Sequence, residues 1–331
     1  MNKDLELIYN CINNIQVLKG KSMFITGATG WFGIWVLKFL SFLNESYNFN
    51  IKITILTRNY NKFINKFPEF KQEYIKYIEN DICNFNIKKE YFNYILDMVD
   101  AETNDFTETY KNMIGGLNNL INNISNINNN IEKMLFVSSG SIYGVQPEYL
   151  NNINEKYNGN PITAYAIAKK ESEKILLNSN INVSIARGFT FIGEYIKFGH
   201  FAISNFIDDV INNRDIIIKG DGRPMRTYLY MADAIYWLLE ILLNSKDKSI
   251  YNVGASEPIS ILELAQKVAS SVPNYNGDIK VLTKINENDK IHRYIPDNTK
   301  IKKELKVKEN FTIDEAISKT IGFYLNKKDI L

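Results

Sequence analysis

Short apolar runs alternate with helical spacing along the first half of the chain. The first run, Ser22–Thr26, stops at a glycine and precedes a long apolar helix. Further runs with the character of strands are Ile51–Leu56, the residues near Tyr77–Glu79, Tyr94–Val99, Lys133–Ser138 and Val183–Ala186. Helical patterns fill Asp105–Ile124 and Ala164–Asn178. Continuous apolar strands separated by helices are typical of a parallel sheet covered on both faces, so the sequence predicts a doubly wound α/β fold.

The regular alternation weakens after about Arg187. The other elements that the pattern predicts are a helix at Leu5–Leu18, an amphipathic stretch at His200–Asn212, a short strand at Ile216–Lys219 and a final helix near Ile313–Tyr324. A length of 331 residues corresponds to about two domains. We predict a first domain at 1–187, joined by 232–255, and a smaller C-terminal α/β domain that occupies most of 188–331 and closes over a ligand.

Composition and charge exclude several classes of protein. The 39 basic and 37 acidic residues leave a net charge of +2, without the basic block that a nucleic acid or an anionic membrane attracts. The most apolar segments, Ile34–Leu43 and Tyr236–Leu243, are shorter than the ~20 residues of a membrane span. The two cysteines are far apart, as are the two histidines, so we expect neither a disulfide framework nor a metal site. The N-terminus lacks the features of a signal peptide, which predicts a cytoplasmic protein.

The segment Gly27-Ala28-Thr29-Gly30-Trp31-Phe32-Gly33 follows the first strand and opens the first long helix. Glycines at this place allow a tight turn and a close approach of the backbone to a pyrophosphate, whose charge the free N–H groups of the helix start attract. The spacing differs from the Gly-x-Gly-x-x-Gly of many dinucleotide sites, and the alternative is that the glycines only allow strand and helix to pack closely. The strand–loop–helix position favours a Rossmann domain. Its dinucleotide-binding residues are then Gly27, Thr29, Gly30, Trp31, Phe32 and Gly33.

The ends of the second and third strands bear on the choice of cofactor. The second strand ends at Thr57-Arg58, where a site for NAD usually places an acidic residue that accepts from the ribose hydroxyls. Arg58 favours NADP(H), because a guanidinium binds a 2′-phosphate; the alternative is a solvated arginine at a strand end with NAD(H) as the cofactor. Asp81-Ile82 follows the third strand and has two interpretations, contacts to adenine or a plain turn.

Tyr165-x-x-x-Lys169 near the start of a helix and Ser139 at the end of a strand are candidates for catalysis. A chain with 20 tyrosines contains this spacing by chance, so its place after the fifth strand carries the argument. Residues four apart share a helix face, and an ammonium beside a phenol favours the phenolate. Tyr165 is then suited to exchange a proton while a hydride moves, and Ser139 to hydrogen-bond the same substrate oxygen. The alternative is a surface tyrosine and a serine in a turn.

Several segments share a pattern with a known family. They are Gly27–Gly33, Asp81-Ile82, Asn112-Met113-Ile114-Gly115, Ser138–Gly144, Tyr165–Lys169, Arg187, Gly220–Asp233, Tyr251–Gly254 and Arg293–Asp297. Over nearly the whole chain they resemble the extended short-chain dehydrogenase/reductases of the nucleotide-sugar epimerase/dehydratase family. The resemblance implies that NAD(P) and a nucleoside-diphosphate sugar bind between two domains. It also implies a homodimer formed through the long helices at Asp105–Ile124 and Ala164–Asn178.

The resemblance assigns further residues to the site. Asn112 joins the cofactor site. The arginines that match Arg226 and Arg293 hold the diphosphate, a role that suits a guanidinium fork. The other candidates for contacts to the substrate are Ser141, Arg187 and His200, with a plain structural role as the alternative for the histidine.

Two departures from the family pattern bear on the reaction. Members that eliminate water place an Asp-Glu pair after the catalytic hydroxyl, whereas here Ser139 is followed by Gly140-Ser141, which disfavours a dehydratase of the usual kind. Where small residues usually pass beneath the nicotinamide, this chain has Asp97–Thr103. Within that segment, Asp97 or Asp100 supplies a replacement acid or base, or these residues and Glu102 are capping and solvated residues.

We therefore predict an NAD(P)-dependent nucleotide-sugar oxidoreductase that transfers a hydride at a sugar carbon, with C4 as the expected position. Arg58 favours a keto-sugar reductase, which exchanges NADP(H) in each turnover. The alternatives are a 4-epimerase that retains NAD, an atypical dehydratase, and a non-catalytic protein that senses NADP(H).

Overall fold

The centre of the protein is a parallel sheet of seven strands. The structure is a computed structural model, and it describes residues 1–87, 90–100, 103–127 and 131–328. Its strands are β1 (Ser22–Thr26), β2 (Lys52–Thr57), β3 (Ile75–Glu79), β4 (Tyr94–Asp97), β5 (Lys133–Ser139), β6 (Val183–Gly188) and β11 (Ile250–Val253). Neighbouring strands are parallel throughout, in the order β11-β6-β5-β4-β1-β2-β3. From β1 the chain adds strands β2 and β3 on one side of the sheet, and it then adds β4, β5, β6 and β11 on the other side. In sheets of this kind, ligands bind in the crevice at the carboxyl ends of the two strands where the direction changes, here β1 and β4. The predicted Rossmann-type, doubly wound α/β fold is confirmed.

Helices cover the sheet and form two apolar cores. They are α1 (Asn2–Cys11), α2 (Trp31–Tyr47), α3 (Tyr60–Lys66), α4 (Phe106–Ile127), α5 (Ala164–Leu177), α6 (Ala202–Ile211), α7 (Met231–Asn244), α8 (Ile261–Ser270), α9 (Thr299–Leu305) and α10 (Ile313–Lys328). Helices α1, α2 and α7 pack together and bury Trp35 and Trp237 in the larger core, whereas α4 and α5 pack over the smaller one. Successive residues of β1 point into different cores, Ile25 into the larger and Phe24 into the smaller. This alternation explains why a central strand is apolar at consecutive positions.

The first helix differs from its prediction. The helix expected at Leu5–Leu18 is interrupted, because α1 ends at Cys11 and a separate 3₁₀ turn occupies Ile15–Leu18. Between them, Asn14 adopts a left-handed φ of 57°, and the N–H of Asn13 donates to the buried carboxylate of Glu240 in α7. A tertiary hydrogen bond therefore overrides the helical spacing of the apolar residues here.

The chain after β6 forms smaller sheets. They pair β7 (Phe191–Ile192) with β10 (Leu229–Tyr230), β8 (Ile216–Ile218) with β13 (Ile279–Val281), and β9 (Met225–Arg226) with both β12 (Ile259–Ser260) and β14 (Arg293–Tyr294). Helix α7 and strand β11 return to the large sheet, where β11 pairs with β6. The strand at 250–253 therefore belongs to the same sheet as β1 to β6, and the division into two domains near residue 187 stays a prediction.

Two observations concern the described part of the chain only. No helix within it combines the length and the apolar character that a membrane span needs. No three His, Cys, Asp or Glu side chains within it are grouped as ligands of a metal ion. Glu102, one of the acids considered above, lies outside the described residues.

Candidate active site

Gly27 lies at the end of β1, where the backbone turns beside the segment that follows β4. Its φ of 70° is left-handed, and a Cβ at this position would lie 2.3 Å from the carbonyl oxygen of Met98. Gly33 is restricted too, because a Cβ there would lie 2.3 Å from the backbone of Ala28. Thr29, between them, is exposed. Both close contacts depend on glycine, which holds β1, the loop and α2 as near to one another as a dinucleotide site requires.

The start of α2 presents backbone donors without a side-chain cap. Its N-cap is Gly30, so no side chain accepts from the first turn, and such a terminus attracts a phosphate. The indole N–H of Trp31 donates to the carbonyl of Glu194 at 2.7 Å, and the ring of Phe32 packs edge-on against Phe191. These two side chains therefore anchor the start of the helix and leave its backbone N–H groups without a side-chain acceptor, and the binding of a pyrophosphate there stays a prediction.

The residues predicted to hold the adenosine lie at the ends of β2 and β3. Arg58 is exposed, and its guanidinium forms no hydrogen bond or ion pair within the described residues. Thr57 is buried, and its hydroxyl accepts the N–H of Asn59. The carboxylate of Asp81 accepts the N–H of Cys83 at 2.9 Å, which is the turn considered as its alternative role. Arg58 is thus available to an anion, whereas Asp81 has a structural use.

Ser139, Tyr165 and Lys169 lie where β5 ends and α5 begins. The hydroxyl of Ser139 accepts the N–H of Ser141 at 3.1 Å and caps a short 3₁₀ turn. Tyr165 is in the first turn of α5, and the Lys169 ammonium lies 5.8 Å from the centre of its ring. The same ammonium donates to the carbonyl of Val137 at 2.7 Å, two residues before Ser139. The structure therefore brings Lys169 next to Tyr165 and to the strand end that carries Ser139.

Lys169 is a buried cation that donates to neutral acceptors. A second hydrogen bond of 3.0 Å runs from its ammonium to the carbonyl of Val99, and the charge lies 4.7 Å from the centre of the Phe136 ring. Burial lowers the pKa of Lys169. The carboxylates that oppose this shift are Asp97, Asp100 and Glu173. An ammonium has three N–H donors, and two of them are used among the described residues, so the third can serve the cofactor or the phenol.

Ile82 and Asn112 line a small cavity beside Lys169. Its volume is about 10 Å³, which is space for a single water molecule at most. Asp97 also lines this cavity. Ile82, Asn112 and Lys169 come from three distant segments, and all three were predicted to hold the cofactor. The structure brings them together around this cavity.

Arg226 is half-buried and lacks an acidic partner. Its guanidinium donates to the carbonyls of Met225 and His292, at 2.8 and 3.3 Å, and lies over the ring of Tyr294. Burial lowers the pKa of Arg226, and no carboxylate among the described residues forms an ion pair with it. A partly desolvated cation without a counter-charge is costly unless an anion binds it. Arg226 is therefore suited to the diphosphate of a nucleotide sugar.

Arg293 does not point the same way as Arg226. Strand β14 runs parallel to β9, with Tyr294 paired to Arg226 and Arg293 paired to Met225. Because paired residues share a face and successive residues alternate, the two arginines point to opposite faces of this sheet. Arg293 instead donates to the side chain of Asn151, at 3.1 Å. This geometry gives no support to one diphosphate held by both arginines, and the contact of Arg293 with the substrate stays a prediction.

Arg187 also differs from its expected role. Its guanidinium pairs with the carboxylate of Glu173 in α5, with a shortest distance of 2.7 Å, and donates to the hydroxyl of Tyr143 at 2.7 Å. Glu173 accepts the hydroxyl of Ser138 as well, at 2.5 Å. The side chains of Arg187 and Glu173 are only 9% and 4% exposed. This buried ion pair ties α5 to the ends of β5 and β6, so Arg187 has a structural use, and its contact with the substrate stays a prediction.

Ser141 and His200 lie in contrasting environments. The hydroxyl of Ser141 is buried and has no hydrogen-bond partner among the described residues. Buried hydroxyls normally have a partner, so Ser141 fits a contact to the substrate. His200 is exposed, with the ring of Phe201 as a neighbour, and its contact to the substrate stays a prediction.

The sequence analysis assigned no role to Tyr294, although it lies in the matching segment Arg293–Asp297, or to Glu173. A Cβ on Gly140 would lie 2.5 Å from the hydroxyl of Tyr294, so this phenol sits against the turn that follows Ser139. Its position depends on the pairing of β9 with β14, which has no sequence signal. Glu173 did have a sequence signal, because it continues the four-residue spacing of Tyr165 and Lys169 on one face of α5.

Residues 23–254 match the NAD dependent epimerase/dehydratase family. This range contains the glycine loop, the predicted catalytic residues and the whole of the large sheet except the first residue of β1. The chain belongs to this family of NAD-dependent nucleotide-sugar enzymes, and the resemblance seen in the motifs is confirmed.

Individual relatives carry out different reactions. A putative UDP-glucose 4-epimerase from Methanocaldococcus jannaschii is 26% identical over 311 residues, which cover 91% of this chain and 98% of the relative. The structure of dTDP-glucose 4,6-dehydratase from Bacillus anthracis in complex with NAD superposes with a TM-score of 0.78 at 17% identity, covering 93% of this chain and 98% of the other. RMD from Pseudomonas aeruginosa, complexed with NADPH, gives 0.74 at 18% identity, covering 93% and 99%. The structural neighbours share the fold and contain either cofactor.

Removing one partner of the buried ion pair is expected to destabilise the protein. Glu173→Ala leaves the Arg187 charge and the Ser138 hydroxyl without their acceptor, at a cost of about 3–5 kcal/mol in the free energy of unfolding. Urea unfolding measures this loss.

Glu171→Ala is the matched control, because Glu171 lies on the same helix in an exposed pair with Lys174 at 3.9 Å. We expect a change of about 0.5 kcal/mol or less. Equal losses in the two variants would show that the buried pair adds nothing to stability.

Proposed function

We propose that this protein transfers a hydride between NAD(P) and a sugar carbon, expected to be C4, of a nucleoside-diphosphate sugar, without eliminating water or carbon dioxide. The observation that carries this proposal is the buried ammonium of Lys169, held beside Tyr165 and the strand end of Ser139. The residues after Ser139, Gly140-Ser141, offer no carboxylate for an elimination.

The cofactor, when bound, supplies or accepts the hydride. The glycine loop and the start of α2 hold its pyrophosphate, since both close contacts of the loop require glycine and the helix start lacks a side-chain cap. Tyr165 exchanges the proton of the reacting sugar hydroxyl, and the nearby charge of Lys169 favours its phenolate. Ser139 hydrogen-bonds the same oxygen as it changes between hydroxyl and carbonyl.

The substrate is oriented by residues of both parts of the chain. Arg226 binds the diphosphate, because it is a half-buried guanidinium without an acidic partner. Ser141 binds the sugar through a hydroxyl that has no partner within the described chain. Arg226 lies over the ring of Tyr294, whose hydroxyl is against the turn after Ser139, so we expect these two contacts to hold the sugar near Ser139 and Tyr165.

Arg58 supports a keto-sugar reductase among the reactions open to this chemistry. Its exposed and unpaired guanidinium at the end of β2 suits the 2′-phosphate of NADPH. A reductase consumes NADPH and must exchange it in every turnover. An exposed residue such as Arg58 suits this exchange, because it binds the cofactor without enclosing it.

A second candidate, a 4-epimerase, has a specific observation in its favour. Glu79 at the end of β3 pairs in register with Thr57, which brings a carboxylate near the predicted ribose site. A carboxylate there accepts from ribose hydroxyls and repels a 2′-phosphate. NAD retained through an oxidation and a reduction of the same sugar would then be the cofactor.

The nucleotide carried by the purified protein separates the two candidates. After denaturation, mass spectrometry of the released nucleotide is expected to find an empty or NADP(H)-loaded site, and the protein should oxidise NADPH with a 4-keto nucleotide sugar. Arg58→Leu should then weaken NADPH binding at least about tenfold and leave NADH binding unchanged. Tightly retained NAD, with no NADPH oxidation, would contradict the reductase and support the epimerase.

Tyr165→Phe is expected to abolish turnover, because it removes the only proton that the phenol exchanges. The ring remains, so cofactor affinity should stay within a few-fold of the wild-type value. Steady-state rates and a cofactor titration measure both quantities. Tyr91→Phe is a matched control at an exposed tyrosine; a Tyr165 variant that retained activity similar to this control would remove Tyr165 from the mechanism.

We also propose that two copies associate through α4 and α5. The two helices pack against each other, and α4 begins with the exposed side chain of Phe106. Sedimentation equilibrium should give twice the mass of the chain; a monomer at micromolar concentration would refute this assembly.

A further inference from the structure

Asp97, the last residue of β4, is a buried carboxylate that the proposed chemistry does not use. It is 4% exposed, and no cation forms an ion pair with it among the described residues. One carboxylate oxygen accepts the hydroxyl of Thr26 at 2.6 Å and the N–H of Val99 at 3.3 Å. These bonds only partly compensate a buried charge, since both donors are neutral.

Val99 connects Asp97 to Lys169 through its backbone. The N–H of Val99 donates to Asp97, and the carbonyl of Val99 accepts from the Lys169 ammonium at 3.0 Å. Between them, the carbonyl of Met98 lies against Gly27, where even a methyl group would not fit. Each of residues 97–99 therefore has a contact that restricts it, and the conformation of this turn decides where the carbonyl of Val99 that accepts from Lys169 lies.

Asp97 and Lys169 also both line the cavity of about 10 Å³ beside the Lys169 ammonium. They form no direct ion pair there. Two charges that are too far apart for an ion pair still interact where there is little water, because screening of the charges is weak there.

We propose that Asp97 is a positioning residue for Lys169. Its carboxylate fixes the turn whose carbonyl holds the ammonium, and it supplies the buried negative charge that this cation faces. The proposal rests on the proposed function of Lys169 as the partner of Tyr165. The proposal gives a reason for the acidic residue at the end of β4, in the segment Asp97–Thr103 where the family pattern has small residues.

The other groups around Lys169 do not replace Asp97. Glu173, on α5, is paired with Arg187 in an ion pair that largely neutralises its charge. Asp100 is exposed, so water and salt screen it. From the remaining elements, Lys169 faces the ring of Phe136 on β5 and the phenol of Tyr165 on its own helix. Burial lowers the pKa of Lys169, and Asp97 opposes that shift.

The test is the titration of Lys169 in the whole protein, followed by NMR of lysine labelled with ¹³C at Cε. The signal is assigned by its loss in Lys169→Met. In Asp97→Asn, which keeps an oxygen for Thr26 and Val99 but removes the charge, Lys169 should titrate at a lower pH than in the wild-type protein. Thr26→Val, which removes one bond to the carboxylate, should give a smaller shift in the same direction.

Asp247→Asn is the matched control, because Asp247 also accepts a backbone N–H, that of Val183 at the start of β6. It should leave the Lys169 titration unchanged. An unchanged titration in folded Asp97→Asn would overturn the proposal, and if that variant does not fold, an unchanged titration in Thr26→Val would do so. The measurement needs no turnover, so a wild-type protein inactive on every nucleotide sugar would contradict the proposed function without affecting this result.

Discussion

The buried ammonium of Lys169 is the interaction on which the rest of the site depends. A lysine is rarely placed where water cannot reach it, because the charged form loses its hydration. Here the loss is offset by two backbone carbonyls, at the ends of β4 and β5, and by the face of an aromatic ring. The ammonium therefore joins two neighbouring strands to α5. Tyr165, one helical turn away, and Ser139, two residues further along β5, take their positions from this junction.

The remainder of the site follows from the order of the strands. The order of the parallel strands reverses between β1 and β4, and at that point Gly27 allows the glycine loop to lie against the turn after β4. The cofactor loop and the turn that holds Lys169 are thus in direct contact. The substrate side is built differently, from short strands after β6 that present Arg226 without an acidic partner. In the proposed site, the backbone would hold the dinucleotide and Arg226, which has no acidic partner among the described residues, would hold the diphosphate.

Local patterns were sufficient for strands β1 to β6 of the large sheet, the glycine loop and the helix that carries Tyr165 and Lys169, but they predicted no strand at β11. Each of these is encoded within a few residues, by apolar runs, by glycine at a turn or by a four-residue spacing. The roles of the arginines were not encoded in this way. Arg187 and Arg293 have the residue type that a diphosphate requires, but one is consumed by Glu173 and the other points away because of the register between β9 and β14. Tyr294 was missed for the same reason, since its neighbours come from strands that lie far apart in the sequence. The interruption after α1 likewise depends on a hydrogen bond to a distant helix.

The central claim is that a hydride moves to or from a single sugar carbon and that nothing else is removed from the sugar. The most direct measurement is to supply NADPH carrying deuterium at C4 of the nicotinamide, together with a 4-keto nucleotide sugar, and to locate the label in the product by NMR. We expect one deuterium at C4 of the sugar and a product heavier than the substrate by the added hydrogen and deuterium alone. Deuterium at another carbon, or a product that has lost water or carbon dioxide, would contradict it.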